Sequence, residues 1–204
     1  MDGFALQLSL GHDVIAYASK DLFDASGRII AKIAAETYVA KPLGTAQLLH
    51  DAAEAHSYLW GMTSARKELW ALFDPDCSYC HMLFEALRPK VEGGALKVHV
   101  IQVAFLKPEG IGRAAAIVGC KDPAAALVRD EIRFDIAAEQ GGIEAEPTSN
   151  TASSRVRANN AWMAARGIRA TPFLLYRDRD GEPRAIPGFP PDVAALLSEI
   201  RSGS

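Results

Sequence analysis

The stretch "DPDCSYCHML", residues 74–83, holds two cysteines separated by two residues and followed directly by a histidine. A Cys-x-x-Cys pair is typical of a dithiol redox centre, whereas Cys-x-x-Cys-His is also the pattern of covalent haem attachment. The preceding residues, "RKELWALF" at 66–73, are mostly apolar and predict a buried strand. The following residues predict an amphipathic helix. The cysteines therefore stand where a strand passes into a helix.

This position favours the dithiol interpretation. Cys77 is predicted to occupy or adjoin the helix N-cap, where unpaired backbone N–H groups and the positive end of the helix dipole stabilise a thiolate. A c-type haem would need a wider apolar pocket and a second axial ligand, and Met82 and Met163 are better explained as core residues. We therefore interpret Cys77 as the nucleophile and Cys80 as the resolving cysteine.

The third cysteine, Cys120, is set apart from the pair. An odd total of three cysteines excludes a scaffold held together by disulfides. Cys120 together with the pair and His81 would supply four zinc ligands, but the long stretch before Cys120 lacks metal-ligand spacing. We expect no metal and no cofactor beyond the redox-active dithiol. Cys120 is interpreted as a small buried helix residue rather than a second redox thiol.

The composition is that of an ordinary globular protein. The chain has 204 residues, 49% of them hydrophobic and 23% charged, which suits one domain or a compact domain with a small accessory unit. The formal net charge of -3 gives no electrostatic argument for binding nucleic acid. No apolar run approaches the roughly 20 residues that span a bilayer. The start, "MDGFALQLSLG", lacks the basic region and cleavage site of a secretory signal.

Periodicity and turn signals predict an α/β fold with helices on both faces of a sheet. Strands are predicted within 12–40 (two, joined by a turn at "DASGR"), at 66–73, at 96–106, in "TPFLLY" and, as its hairpin partner, in "AIPGF". Helices are predicted at 45–60, after the cysteines, from the N-cap Asp122, up to Gly167 and near 190–200. The segment 142–152 is predicted to be a loop.

Helical spacing also predicts which helix faces are buried. In the helix at 45–60 the predicted apolar stripe is Leu48, Ala52, Ala55 and Leu59. In the helix after the cysteines it is Tyr79, Leu83 and Leu87, with Pro89 kinking or ending the helix. In the helix capped by Asp122 it is Val128, Ile132 and Ile136.

Three stretches carry a family resemblance: "FDPDCSYCHMLFEALRP", "KPEGIGRAAAIVGCKDPAAA" and "GIRATPFLLYRDRDGEPRAIPGFP". From about residue 45 to 200 the chain resembles the periplasmic disulfide isomerases DsbC and DsbG of the thioredoxin superfamily, and the middle stretch is closer to DsbG. The resemblance implies a thioredoxin-like catalytic domain at 62–204 with a helical insertion at about 107–167. It also implies a linker helix at 45–61 and a short β unit at 1–44, which is a truncated form of the family's dimerisation domain.

The resemblance further implies a function. It implies a thiol-disulfide oxidoreductase or isomerase that reduces or reshuffles disulfides, or reduces sulfenylated cysteines, in exported proteins of the periplasm, its signal peptide having been removed. The implied partners are partly unfolded or misoxidised clients, a membrane reductant of the DsbD type and a second copy of the chain. Two other functions remain open, namely a DsbA-like dithiol oxidase and a chaperone-like client-binding protein whose cysteines are secondary.

Five further residues are implied to bind clients or tune the thiolate. Ser78 and Tyr79 lie between the cysteines, and His81 would favour a thiolate by its charge when protonated. The resemblance implies that the Thr171-Pro172 bond is cis and lies against the cysteines, where its backbone is presented to a client.

Carboxylates near the pair form the last sequence-based expectation. Asp74 and Asp76 either oppose the thiolate by their charge or cap the helix. Ala71 takes the position at which thioredoxin keeps a buried carboxylate, so proton transfer during exchange must use another group or water.

Overall fold

The computed structural model describes residues 4–7, 15–18, 44–147 and 151–203. At its start, strands β1 (Phe4–Gln7) and β2 (Ile15–Ala18) form an antiparallel pair. β2 lies within 12–40, where two strands are predicted, but its partner β1 precedes that stretch. The second predicted strand and the turn at "DASGR" lie outside the described residues.

The main sheet has five strands in the order β3-β5-β4-β6-β7. Their bounds are β3 Ser57–Trp60, β4 Lys67–Phe73, β5 Leu96–Gln102, β6 Phe173–Arg177 and β7 Pro183–Pro187. β4 and β5 pair in parallel, which requires a crossover, and the helix that follows the cysteines supplies it. All other pairs are antiparallel, including the predicted hairpin of β6 and β7.

Six helices lie in the described ranges: α1 Thr45–Ala52, α2 Ser78–Glu92, α3 Gly110–Gly119, α4 Pro123–Ile132, α5 Thr151–Ala165 and α6 Val193–Glu199. In chain order, α3, α4 and α5 come between β5 and β6. The N-cap predicted at Asp122 is confirmed, since its carboxylate accepts from the Ala125 N–H at 2.9 Å. None of these helices combines the length and apolar character that crossing a bilayer requires.

The continuous helix predicted at 45–60 is wrong in its second half. α1 ends at Ala52, and Ser57–Trp60 is the edge strand β3, whose Trp60 pairs with Val98 of β5. Aromatic residues favour a pleated, half-buried surface, and the hydrogen bonds to β5 exist only in the folded sheet. α1 itself packs in the core through Leu48 and Ala52, so this part of the predicted linker contacts the sheet.

The predicted buried stripe of α2 is wrong at one position. Leu83 and Leu87 are fully buried, but Tyr79 is 59% exposed. The helix also continues past Pro89 to Glu92. Pro89 lies on the exposed side of the helix. Water can therefore hydrogen-bond to the carbonyl that the missing proline N–H leaves free, and the helix continues through this position.

The predicted buried stripe of α4 is wrong more broadly. Ile132 is 58% exposed and Ile136, beyond the helix end, is 73% exposed. The buried residues are instead Ala126, Leu127, Asp130 and Glu131. A hydropathy pattern assigns acidic residues to the exposed face of a helix. It therefore predicts the wrong buried face for α4, in which Asp130 and Glu131 are buried.

The core occupies both faces of the sheet. One cluster contains Leu69, Ala71 and Phe73 of β4 together with Cys77 and Cys80. The opposite cluster contains Leu72 of the same strand and Met163. The alternation along β4 follows from the two-residue period of a strand. The dithiol is consequently set into an apolar layer rather than on an open surface.

Candidate active site

Cys77 is the N-cap residue of α2, as predicted. Its carbonyl oxygen accepts from the N–H groups of Cys80 at 2.9 Å and His81 at 3.0 Å, which closes the first turn. No side chain of the described residues caps this end of the helix. Cys77 is 5% exposed, whereas Cys80 is completely buried. Cys77 is thus the more exposed of the two cysteines, and Cys80 is shielded from solvent.

The two thiols differ strongly in acidity. The pKa of Cys77 is lowered from 9.0 to about 6, chiefly because the Cys80 thiol donates to its sulfur, with Thr171 and the backbone N–H groups of Cys80 and Tyr79 adding to this against the opposing effect of burial. The pKa of Cys80 is raised well above 9.0, chiefly by burial and then by Cys77. At neutral pH the site holds one thiolate and one thiol.

The peptide bond between Thr171 and Pro172 is cis, and it lies beside this thiolate. The Cys77 thiol donates to the Thr171 carbonyl oxygen at 3.4 Å. The Thr171 hydroxyl is buried and has no hydrogen-bond partner among the described residues. When Cys77 ionises it ceases to be a donor, and this hydroxyl is then placed to donate to the thiolate, in agreement with its lowering of the Cys77 pKa.

Asp74 and Asp76 fix the loop that carries the cysteines. One Asp74 oxygen accepts from the Asp76 N–H at 3.0 Å, and the other accepts from the N–H groups of Phe105 at 2.8 Å and Leu106 at 3.2 Å. Asp76 pairs with the buried Arg113 at 2.8 Å. Neither carboxylate caps α2, so that alternative is wrong. β5 ends at Gln102 rather than at 106, and the chain beyond it is bound by Asp74.

A buried carboxylate that sequence reasoning missed lies against His81. The Nδ1 of His81 is 3.1 Å from the Oε2 of Glu131, and the imidazole stacks on Phe134 with ring centroids 4.6 Å apart. Burial raises the pKa of Glu131 to about 7, and the hydrogen bond to Glu131 raises that of His81. His81 and Glu131 are 50 residues apart in the chain, so no spacing signal links them.

The neighbouring Asp130 is a second missed carboxylate. One of its oxygens accepts from the Ile143 N–H at 2.9 Å, and the other is buried without a partner among the described residues. Burial raises its pKa to about 7. Gly141 approaches so closely that an added Cβ would lie 2.4 Å from the carboxylate. The "GG" pair after "EQ" is the only sequence signal for this close approach.

The sequence of this chain is similar to sequences of known proteins. No known protein-family profile matches the chain. It is 28% identical over 178 residues to the thiol:disulfide interchange protein DsbG of Pseudomonas aeruginosa, covering 86% of this chain and 68% of that protein. It is 24% identical over 172 residues to Escherichia coli DsbG, covering 83% and 66%. The match thus spans about two thirds of each relative.

A solved structure shares the fold. The periplasmic thioredoxin-like protein of Salmonella enterica serovar Typhimurium superposes with a TM-score of 0.55 at 19% identity, covering 78% of this chain and 97% of that one. The chain has a thioredoxin-like fold and is similar to DsbG. The predicted fold class is confirmed, with the Cys-x-x-Cys pair between a central strand and its crossover helix and the cis-proline at the start of β6.

Among the described residues, six of the seven large exposed apolar side chains come from segments that adjoin the active site, and the seventh is Met62. Tyr79 and Met82 lie on the first turns of α2, so Met82 is not the core residue that the sequence suggests, whereas Met163 is buried. Phe105 and Leu106 belong to the segment bound by Asp74, and Ile132 and Ile136 belong to the end of α4 and the residues after it. We call these six exposed side chains the apolar rim. Ser78, beside them, donates to Glu139 at 3.0 Å on the surface.

Cys120 is half-buried at the C-terminal end of α3. Its thiol lies 3.2 Å from the Ala116 carbonyl oxygen, to which it donates, and Arg129 donates to its sulfur at 3.7 Å. It packs against the apolar cluster that contains the dithiol. The prediction of a small packed residue fits this contact, although the residue is less buried than expected. Among the described residues, no three His, Cys, Asp or Glu side chains are grouped to hold a metal ion.

Proposed function

We propose that this chain is a thiol-disulfide oxidoreductase and isomerase that reduces or reshuffles disulfides in exported proteins through Cys77 and Cys80. The observation that carries this proposal is the division of the pair into a slightly exposed Cys77 of lowered pKa and a completely buried Cys80 of raised pKa. The thiolate is the nucleophile of disulfide exchange, and a buried thiol one helical turn away is the group that resolves the product. The similarity to two thiol:disulfide interchange proteins supports the same function.

The reaction is a pair of sulfur exchanges. Cys77 Sγ attacks one sulfur of a client disulfide; a bond forms between them, the client S–S bond breaks, and the departing client thiolate takes up a proton. Cys80 Sγ then attacks Cys77 Sγ, which forms the Cys77–Cys80 disulfide and releases the second client sulfur. When a client thiol attacks first, the client leaves with a rearranged disulfide and Cys77 is regenerated. No bound cofactor is needed, because the electrons stay on sulfur.

Client binding combines backbone and apolar contacts. The chain at Thr171-Pro172 lies beside the Cys77 sulfur, directly before β6, and offers backbone groups for strand-like pairing with a client peptide. The apolar rim offers Tyr79 and its neighbours to the apolar side chains that a partly unfolded protein exposes. Ser78 and Tyr79, between the cysteines, contact the client backbone nearest the reacting sulfur.

The relatives and the electron balance support the proposed site of action and partners. Action on exported proteins in the periplasm agrees with the DsbG similarity and with the periplasmic protein that shares the fold. Each net reduction leaves Cys77 and Cys80 oxidised, so a partner must return two electrons and two protons, as a membrane reductant of the DsbD type would. A homodimer formed through the N-terminal unit would place two such sites around one client.

An oxidase function is the second candidate, and the low pKa of Cys77 favours it. A stabilised thiolate stabilises the reduced dithiol, which makes the disulfide a stronger oxidant; DsbA, the strong oxidant of this kind, has a potential of about −120 mV against about −180 mV for protein disulfide isomerase. In that case the chain would pass its disulfide to reduced clients.

The deciding experiment offers the chain a client with mispaired disulfides in a glutathione buffer. We expect native pairing to be recovered with the intact chain and not with Cys77→Ser, and the equilibrium with glutathione to place the potential near that of an isomerase. Net oxidation of a reduced client at a potential near about −120 mV would establish the oxidase instead. If neither the intact chain nor Cys77→Ser rearranges disulfides, but both still bind the unfolded client, the chain would be a chaperone and the proposal would be refuted.

A further inference from the structure

The resolving step poses a problem of proton removal. Cys80 must lose its proton to attack the mixed disulfide, yet its side chain is completely buried and its pKa is raised. Ala71, on the neighbouring strand β4, is also completely buried and offers no acceptor. Bulk water has no direct contact with the Cys80 sulfur, so a group inside the protein is needed.

The fold buries the carboxylate of Glu131 against the helical turn that carries the dithiol. Glu131 of α4 is buried with 1% of its side chain exposed, and it contacts His81, the residue that follows Cys80. The negative charge of Glu131 acts on the dithiol from this position: it contributes to the raised pKa of Cys80, and the Cys77 thiolate contributes to the raised pKa of Glu131. The contact with Phe134 holds the imidazole in one orientation.

We propose that the His81–Glu131 pair takes up the proton of Cys80 when Cys80 resolves the mixed disulfide. This proposal rests on the proposed exchange function. In the step, Cys80 gives its proton to the pair, the Cys80–Cys77 bond forms, the bond between Cys77 and the client sulfur breaks, and the client leaves as a thiolate. The pair then returns the proton to that thiolate or to water. Glu131 acts through His81 and is a positioning residue.

The acidity of the pair suits this role. The pKa of Glu131 is raised to about 7, and an acid–base group works best when its pKa lies near the working pH. The other titratable groups that act on the pair are the N-cap residue Cys77 and Glu85 of α2 and Asp130 of α4, and Glu131 in turn contributes to the raised pKa of Tyr58 on β3. Glu85 is partly exposed and paired with Arg88, so it supplies a matched control.

The test separates the two exchange steps in one reaction. In a Cys120→Ser background, the reduced chain is mixed with a symmetrical aryl disulfide whose thiolate is coloured. The first coloured thiolate is released by Cys77 at a rate that depends on reagent concentration. The second is released by Cys80 at a rate that does not. Cys77 is bonded in the mixed disulfide, so it does not titrate during the second phase.

We expect Glu131→Gln and His81→Asn to slow the second phase at least about tenfold at neutral pH, since acid–base groups contribute about 10²–10⁴-fold. The first phase should change less than about threefold, which also shows that the variants fold. Loss of a nearby negative charge would by itself lower the pKa of Cys80 and accelerate resolution, so slowing distinguishes proton uptake from electrostatics alone. Glu85→Gln should resolve at the normal rate.

The unmodified chain supplies an independent measurement. Its second-phase rate should rise as pH increases through about 7 and then level off, because the pair accepts a proton only when deprotonated. A pH-independent second phase between about 6 and 8, or resolution at the normal rate in either variant, overturns the proposal. Absence of the first phase in the unmodified chain would instead refute the proposed function.

Discussion

The hydroxyl of Thr171 gives the sharpest test of how the thiolate is stabilised. It is buried and has no hydrogen-bond partner in the part of the chain that the structure describes, while the Cys77 thiol donates to the carbonyl of the same residue. Ionisation removes that donor, and the hydroxyl becomes a donor to the thiolate. Thr171→Val keeps the volume and removes the hydroxyl, so it should destabilise the thiolate and leave the neutral thiol almost unchanged.

The expected magnitude follows from the charge on the acceptor. A hydrogen bond to a charged group contributes about 1.5–3 kcal/mol, and one pKa unit corresponds to about 1.4 kcal/mol. Thr171→Val should therefore raise the pKa of Cys77 from about 6 by about one to two units. At pH 7 the thiolate fraction would fall from roughly nine tenths to about half or less.

The measurement is the pH dependence of alkylation by iodoacetamide in the reduced Cys120→Ser chain. Both active-site cysteines are retained, since the raised pKa of Cys80 keeps it silent over the range in which Cys77 titrates. Thr171→Ser retains the hydroxyl and should titrate within about 0.3 units of the unmodified chain. A Thr171→Val midpoint equal to that of the unmodified chain, or an unmodified midpoint near the free-cysteine value of about 8.5, would refute the reasoning.

Three further predictions follow. Cys80→Ser should trap mixed disulfides with clients, visible on non-reducing gels, and Cys77→Ser should trap none; equal trapping would reverse the assigned roles. Arg113→Leu leaves the buried Asp76 without its partner and should cost about 3–5 kcal/mol of unfolding free energy in urea, whereas the exposed Arg129→Leu should cost little. Because the folded pKa of Cys77 is lowered, the stability of the reduced chain relative to the oxidised chain should be lost as pH falls through about 6. The difference in unfolding free energy between the reduced and the oxidised chain should rise by about 1.4 kcal/mol per pH unit between about pH 6 and 8. Urea unfolding of both forms at several pH values measures it, and a difference that does not change with pH would contradict the lowered pKa.

The sequence predicts well those features that depend on neighbouring residues. The passage from β4 into α2 is set by an apolar run followed at once by helical spacing, and the cap at Asp122 needs only the N–H of Ala125. The hairpin of β6 and β7 is signalled by its Asp-Gly turn. The dithiol site was predictable for the same reason, since its decisive residues are adjacent in the chain.

The remaining features depend on contacts between distant segments. β3 becomes a strand because β5 pairs with it, and residues 57–60 alone suggest the end of a helix. The face that α4 buries is set by His81, which contacts Glu131, and by the segment 141–143, which contacts Asp130, and neither belongs to α4. A hydropathy pattern contains no information about such partners, so the acidic residues beside the cysteines appear in it as ordinary surface.

The outer edge of the main sheet has a consequence for a protein that would handle partly unfolded chains. β7 is the last strand of the described sheet, and it begins and ends with proline, at Pro183 and Pro187. Proline has no N–H to donate, and the strand also carries the partly exposed Arg184. Both features discourage another chain from adding to the sheet. An unfolded client held by this protein would thus find no template for strand addition along β7, and replacing both prolines should be seen first as aggregation in the presence of clients.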